Sequence, residues 1–224
     1  MRNYADKQKF VLNQITNECF QSRDLSGCDL SGIDLEMVDL SGMNLIGADL
    51  EGANLSGSIL RGANLSGANL MQACLREADL SETCLCEANL IGADLTLTNL
   101  CKALLWRVRL SGSNLWGASL CEADLSEADL REAKLIEASL IEANLVRANL
   151  GGAKLSGAKL LEANLTQANL SGADLSWANL TEANLREANL WDTNLINTKL
   201  WDTIMPDGTI HYPQMVFFSQ SYEL

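Results

Sequence analysis

The sequence predicts an all-β repeat protein whose chain coils around an axis filled with leucine. Leucine occupies every fifth position from Leu25 to Leu200, 36 in succession. A helix turns by about 100° per residue and a strand alternates its faces with period two, so neither element keeps a period of five on one side. Alanine stands two residues before the leucine in 24 of the 36 units, and 14 of the chain's 16 glycines stand two residues after it.

Each position of the five-residue unit has a physical reason. The leucine must point to a common interior, and the residue two before it faces the same way in an extended segment, where a small alanine fits. Asp or Asn directly precedes the leucine in 25 of 36 units, and their short side chains bond nearby backbone at bends. Glycine suits a corner that needs positive φ. Each unit is therefore a short extended side followed by a corner.

The unit A-(D/N)-L-x-x, seen as ADLSE at 123–127 and ANLSG at 63–67, resembles the consensus of the pentapeptide-repeat family. The resemblance covers about residues 21–205. It implies a right-handed quadrilateral β-helix, the repeated-five-residue fold, in which four units make one coil of twenty residues. The 36 units then predict about nine coils.

The two ends of the chain depart from the repeat. Residues 1–20 are predicted to form an amino-terminal cap with a short amphipathic helix over 3–18, where apolar residues recur at helical spacing. Residues 21–205 form the repeat array. The stretch PDG at 206–208 is a turn signal, and residues 206–224 form a tail that caps the last coil or contacts a second copy. The protein is accordingly expected to be a monomer, or a dimer through its terminal caps.

Charge and composition exclude several classes of function. The net charge is −13 and the pI about 4.4, which argues against direct binding to nucleic acid or to an anionic membrane. No run approaches the length of a membrane span, and no signal peptide is evident. The seven cysteines are an odd number without metal-ligand spacing. We expect a cytoplasmic protein in which Cys101 and Cys121 stack at a distance compatible with a disulfide but remain thiols.

Catalysis is not expected, because the interior is filled with leucine and leaves no cavity for a substrate. The single histidine, His211, lies in the tail, and no nucleophile–base pair, phosphate-binding loop or clustered set of metal ligands is recognisable. We predict no cofactor and no bound metal.

Positions twenty apart stack on neighbouring coils, so the variable residues define surface features. An acidic ridge is predicted at Glu122, Glu142, Glu162, Glu182 and Asp202. It is either a docking site for a basic partner or a solvated row of charges. A second column alternates in sign, which would make a stabilising charge ladder; it reads Glu87, Arg107, Glu127, Arg147, Gln167 and Glu187.

Two further surface features have equally simple alternatives. An apolar patch is predicted at Ile136, Ile141, Val146 and Leu161, although scattered surface aliphatics are common. A basic island is predicted at Lys102, Trp106, Arg107 and Arg109, where the repeat is irregular, and simple decay of the repeat also explains it.

These observations favour a non-catalytic, rigid module that binds an unidentified protein partner. The family resemblance adds a regulatory role as one form of this function. It also supplies an alternative, a DNA mimic that protects or inhibits a topoisomerase such as gyrase, although this array has no interrupting loop. A purely structural spacer is the third hypothesis.

Overall fold

The computed structural model describes residues 23–212, and within them the chain forms one continuous coil. The residue before each leucine pairs in parallel with the residue twenty positions later, from Asp24 with Asn44 to Asn184 with Ile204. Four such ladders run side by side, starting at Asp24, Asp29, Asp34 and Asp39. Four short sides therefore make one coil of twenty residues, as the sequence predicted.

Backbone hydrogen bonds join each coil to the next along every side. The amide of Leu125 donates to the carbonyl of Asn144 at 2.7 Å, and the amide of Asn144 donates back to Ala123 at 2.9 Å. The corner amide of Glu127 donates to the carbonyl of Val146 at 2.9 Å. Because this pattern repeats in the described units up to Leu185, the sides of these coils present no unpaired strand edge along the rod.

The corners are tight turns in which the third residue has positive φ. The amide three residues after a leucine donates back to that leucine, as from Ala128 to Leu125 at 3.1 Å. The residue two after the leucine has positive φ in all 36 units, as the glycines there predicted. Only 14 of these residues are glycine, and 22 are other residues, many of them Glu. The corners therefore hold many side chains in a conformation that L-residues seldom adopt.

The core is a stack of leucines surrounded by small residues. Every repeat leucine from Leu25 to Leu185 is at most 2% exposed. Where a hydroxyl replaces alanine inside, it donates to a backbone carbonyl: Ser58 to Leu55 at 2.7 Å and Thr98 to Leu75 at 2.7 Å. Within the described residues no buried side-chain nitrogen or oxygen lacks a hydrogen-bond partner.

The repeat ends in a hairpin. Strand β1 (Thr203–Ile204) pairs antiparallel with β2 (Ile210–His211). The turn between them is closed by the amide of Gly208, which donates to Met205 at 2.8 Å. This agrees with the turn predicted at residues 206–208.

Three of the predictions for the ends fall on residues that the structure does not describe. The amino-terminal cap over 1–20, its helix over 3–18, and the apolar part of the tail beyond residue 212 lie outside the described residues. Between residues 23 and 212, no helix has the length and apolar character needed to cross a membrane.

Candidate protein-interaction surfaces

The acidic ridge lies along one corner of the rod, where its five members are the corner residues with positive φ. Their φ values run from 52° to 59°, and all five side chains are exposed. Lys102 precedes them in the same column, with its Nζ 3.5 Å from a carboxylate oxygen of Glu122. Among the described residues no cation lies within ion-pair distance of Glu142, Glu162 or Glu182. The ridge is therefore a row of exposed carboxylates held by rigid backbone.

The column of alternating charge forms the ladder that its sequence predicted. The Nε of Arg107 lies 2.7 Å from Glu127, and its Nη1 lies 4.0 Å from Glu87. Further along, Arg147 donates to Gln167 at 2.8 Å, and Gln167 donates to Glu187 at 2.7 Å. This corner is charged but internally paired, in contrast to the acidic ridge.

The basic island is divided between two corners and a side. Lys102 lies on the corner of the acidic ridge, whereas Trp106 and Arg107 lie on the next corner, with the guanidinium 4.3 Å from the indole centroid. Arg109 lies on the following side, where its charge adds to the effect of the hydrogen bond from Arg131, which lowers the pKa of Asp129. Since Lys102 and Arg107 already face carboxylates, the structure does not gather these residues into one free basic surface.

The apolar patch is also spread over several corners. Ile141 and Leu161 stack on adjacent coils, because the amide of Glu122 bonds to Ile141 and that of Glu142 bonds to Leu161. Ile136 and Val146 lie on the corners before and after this one. All four side chains are half-buried rather than exposed. Only the Ile141 and Leu161 pair forms a continuous apolar strip.

The most exposed apolar side chains were not singled out from the sequence. Trp191 is 80% exposed, and Trp177, Ile196 and Trp201 also project from corners near the carboxyl end. Assignment of each residue to its place in the unit would have found them, because the two residues after a leucine form the corner. Near the amino end, Met37 is 74% exposed at the same kind of position.

The cysteines of the array are thiols, five of them at outward positions and Cys28 at an inward position against the core. Six are described, and all are half-buried and unbridged. The Oγ of Ser119 lies 3.0 Å from the Cys101 sulfur and 3.6 Å from the Cys121 sulfur. Burial opposes ionisation of Cys121, but hydrogen bonds from Ser139, Ser119 and Cys101 hold its pKa below the ordinary thiol value.

The described part of the chain holds no group of three or more potential metal ligands. The carboxylates there are distributed along columns and bonded to neighbouring backbone; for example, the amide of Ser126 donates to Asp124 at 3.1 Å. The side chains can thus present charge and apolar groups to another molecule, and this arrangement suits binding.

Comparisons with known proteins agree with this architecture. A model of pentapeptide repeats matches in eight copies that together cover residues 24–100 and 103–206. A search of curated proteins gave no match.

Several solved structures are similar to this chain. One is HetL, a pentapeptide repeat protein involved in heterocyst differentiation regulation from the cyanobacterium Nostoc sp. strain PCC 7120 (38% identity, 90% of this chain and 98% of that chain, TM-score 0.35). Another is a trypsin-treated variant of QnrB1, a plasmid-mediated fluoroquinolone resistance protein (20% identity, 74% and 86%, TM-score 0.67). A third is a pentapeptide repeat protein from the Arabidopsis thaliana thylakoid lumen (35% identity, 42% and 66%, TM-score 0.42).

The QnrB1 likeness concerns the fold, and the family assignment rests on the repeat model, which matches nearly all of residues 24–206. Proteins of this family have the right-handed quadrilateral β-helix, and they are generally structural or interaction proteins rather than enzymes. The chain belongs to the pentapeptide repeat family.

Proposed function

We propose that this protein is a non-catalytic, rigid interaction module that binds a protein partner through its acidic ridge. The observation that carries the proposal is that no cation among residues 23–212 pairs with Glu142, Glu162 or Glu182, whereas the charges of the neighbouring corner are paired. Like charges on adjacent strands destabilise a sheet. A straight row of carboxylates without cations of the described chain beside it is suited to bind a basic surface on another protein. Such a surface would neutralise the negative charge of the row.

Rigidity supports the same function. The corner at Glu142 is bonded to the coils on both sides: the amide of Glu142 donates to Leu161 at 2.9 Å, and the carbonyl of Ile141 accepts from the amide of Glu122 at 2.9 Å. A bond from the amide of Ala143 to Leu140 at 3.1 Å closes the turn itself. Binding to a surface that is already ordered costs little conformational entropy. Complementary charge mainly raises the association rate and the specificity of docking. The expected partner is therefore a protein with a basic face, and regulation by such contacts is one form that the function can take.

The test is an affinity purification from native host extract with the wild-type chain and two matched variants. The ridge variant replaces Glu122, Glu142, Glu162 and Glu182 by Gln. The control variant replaces Glu77, Glu132, Glu137 and Glu187 by Gln. These four glutamates are also exposed corner residues with φ between 56° and 59°, but they lie off the ridge. Both variants change the net charge by the same amount.

A partner that is retained by the control variant and lost by the ridge variant would support the proposal. Equal loss with both variants would assign the effect to total charge. Retention by both variants, with no change in any cellular phenotype, would favour the structural spacer.

Mimicry of DNA is weaker as an explanation of this surface. The ridge is a single row of carboxylates, and the next corner alternates Glu87, Arg107, Glu127 and Arg147. Duplex DNA instead presents uniform charge along two strands. Binding to gyrase at low salt that is abolished by Glu→Lys changes along 122–182 would reverse this ranking.

The remaining expectations are part of the same proposal. We propose nine coils, closed by a cap at residues 1–20 and by the tail at 206–224, in a cytoplasmic protein without cofactor or metal. Whether the caps leave a monomer or join two copies is measured by light scattering on the purified chain.

A further inference from the structure

Cys84 and Cys86 lie on either side of the buried Leu85, and both project outward from the same side of the coil. Their sulfurs are 3.5 Å apart, and both side chains are partly exposed. Cys84 occupies the ladder position between Asn64 and Leu104, where most units have Asp or Asn. The pair therefore places two adjacent thiols beside a corner where most units have the polar side chain of Asp or Asn.

The surroundings of Cys84 favour its thiolate. The hydroxyl of Ser66 lies 3.0 Å from the Cys84 sulfur and 2.7 Å from Oδ1 of Asn64, so its one proton can turn from the amide to the sulfur when Cys84 ionises. The Cys84 thiol donates to the Cys86 sulfur, and once Cys84 has lost its proton, the backbone amide and the thiol of Cys86 can donate to its sulfur. Burial opposes ionisation, but these donors hold the pKa of Cys84 below its usual value.

Cys86 has the opposite character. Burial raises its pKa to about 11, helped by its hydrogen bond to Cys84 and by the charge of that neighbour. The two thiols therefore ionise in sequence, with Cys84 first. A thiolate is the reactive form of cysteine, and a second thiol within reach can resolve the product of its attack.

We propose that Cys84 and Cys86 form a redox-active dithiol that a small-molecule disulfide, of the class of oxidised glutathione, converts to an intrachain disulfide. The Cys84 thiolate attacks one sulfur of the small disulfide, which forms a mixed disulfide and releases one small thiolate. Cys86 then loses its proton and attacks the Cys84 sulfur, which releases the second small thiolate. The protein loses two electrons and two protons, and the small disulfide gains them as two thiols.

The backbone can remain in place during this change. The amide of Leu85 is held by Leu104 at 2.7 Å and that of Glu87 by Trp106 at 2.9 Å, so rotation of the two side chains must bring the sulfurs from 3.5 Å to the bonded distance of about 2.0 Å. The oxidised pair gives up the contact with Ser66. Oxidation thus changes the chemistry of this side without unfolding the coil.

The test uses the full chain in three forms: wild type, Cys86→Ser, and a variant in which Cys101 and Cys121 are replaced by Ser. Each is reduced, incubated with mixtures of reduced and oxidised glutathione, trapped with an alkylating reagent, and analysed by intact mass and peptide mapping. The third form removes the other pair of neighbouring thiols, Cys101 and Cys121, and serves as the matched control. Thermal unfolding of each form verifies that it is folded.

We expect wild type and the Cys101/Cys121 control to lose two thiols at Cys84 and Cys86 without retaining glutathione. The Cys86→Ser variant should stop with one glutathione on Cys84. Substitution of Ser66 by Ala should slow the first step about tenfold, because the thiolate loses a donor. A wild-type protein that keeps glutathione on Cys84, that links Cys101 to Cys121 instead, or that does not react would overturn the proposal.

Discussion

The middle coils and the last coil have the same sequence pattern but different burial. Leu130 in the middle is fully buried, whereas Leu190, Leu195, Leu200 and Met205 at the carboxyl end are only partly buried. The amide of Leu130 donates to Asn149 at 2.8 Å. No backbone oxygen of the described residues accepts a hydrogen bond from the amide of Leu195. Each leucine is thus buried by the coils on both sides of it, as in other repeat proteins, where a repeat contacts only its neighbours. A leucine of the last coil has such a neighbour on one side only.

The largest expected effect comes from the same substitution at both places. Leu130→Ala should reduce the free energy of unfolding by roughly 3–4 kcal/mol, because a closely packed leucine leaves a cavity that its neighbours cannot fill. Leu195→Ala should cost roughly 1–2 kcal/mol, since part of its side chain is already in water. Chemical denaturation monitored by far-UV circular dichroism measures both. Equal costs would show that the end of the array is covered as completely as the middle.

Two threonines in one interior column make a finer comparison. Thr98 is buried and donates to Leu75 at 2.7 Å, while Thr198, five coils later, is half-buried and donates to Leu175 at 2.8 Å. Thr98→Ala should cost about 1–1.5 kcal/mol, because the buried carbonyl of Leu75 loses the hydroxyl donor and keeps only the amide of Ala78, at 3.1 Å. Thr198→Ala should cost less than about 1 kcal/mol, since water reaches the last coil.

The matched control for these threonines is Thr→Val, which keeps the volume and removes the hydroxyl at both positions. If Thr98→Val is as stable as wild type, the cost of Thr98→Ala belongs to packing and the hydrogen-bond explanation fails.

The features that the sequence predicted best are those that every unit shares. Leu125 and Ala123 had to face inward, because leucine recurs in every unit and alanine in 24 of the 36. A period of twenty follows once the four sides that the family resemblance implies close a coil. The corners were harder, because Glu142 has a φ of 57°, in the left-handed region that Gly152 occupies without strain at 67°. Backbone bonds on both sides impose this conformation, and single-residue preference does not reveal it.

For the candidate surfaces, the sequence predicted which residues stack in a column on neighbouring coils, but not the contacts or the burial of their side chains. Spacing correctly aligned Ile141 with Leu161 and assigned Ile136 to an adjacent side, but it could not show that these side chains are half-buried. Cys84 and Cys86 were recognisable in the sequence only as a pair without metal-ligand spacing, and the proposal for them depends on the 3.5 Å between their sulfurs and on the hydroxyl of Ser66. Contacts between variable residues depend on rotamers, which the repeat does not determine.

The smallest expected effect is the acid sensitivity of two capping aspartates, one in the middle and one at the end. Burial raises the pKa of Asp94, but the hydroxyl and amide of Thr96 and the charge of Arg76 together lower it below its usual value. The hydroxyl and amide of Thr209 lower the pKa of Asp207 in the same way. Each carboxylate therefore stabilises the fold above its unfolded pKa of about 3.9, and this contribution is lost as the pH falls through the lower folded value.

Unfolding free energies of wild type, Asp94→Asn and Asp207→Asn between neutral pH and about pH 2 separate the two sites. The difference in unfolding free energy between wild type and Asp94→Asn should shrink as the pH falls. Protonation of Asp94 in wild type removes the stabilisation by the carboxylate, which the substitution has already removed. Asp207 is exposed in the terminal hairpin, and its substitution should change global unfolding less than that of Asp94, since a frayed end unfolds without the middle. If the unfolding free energy relative to wild type changes more with pH for Asp207→Asn than for Asp94→Asn, the hairpin rather than the central coils limits the acid stability of the array.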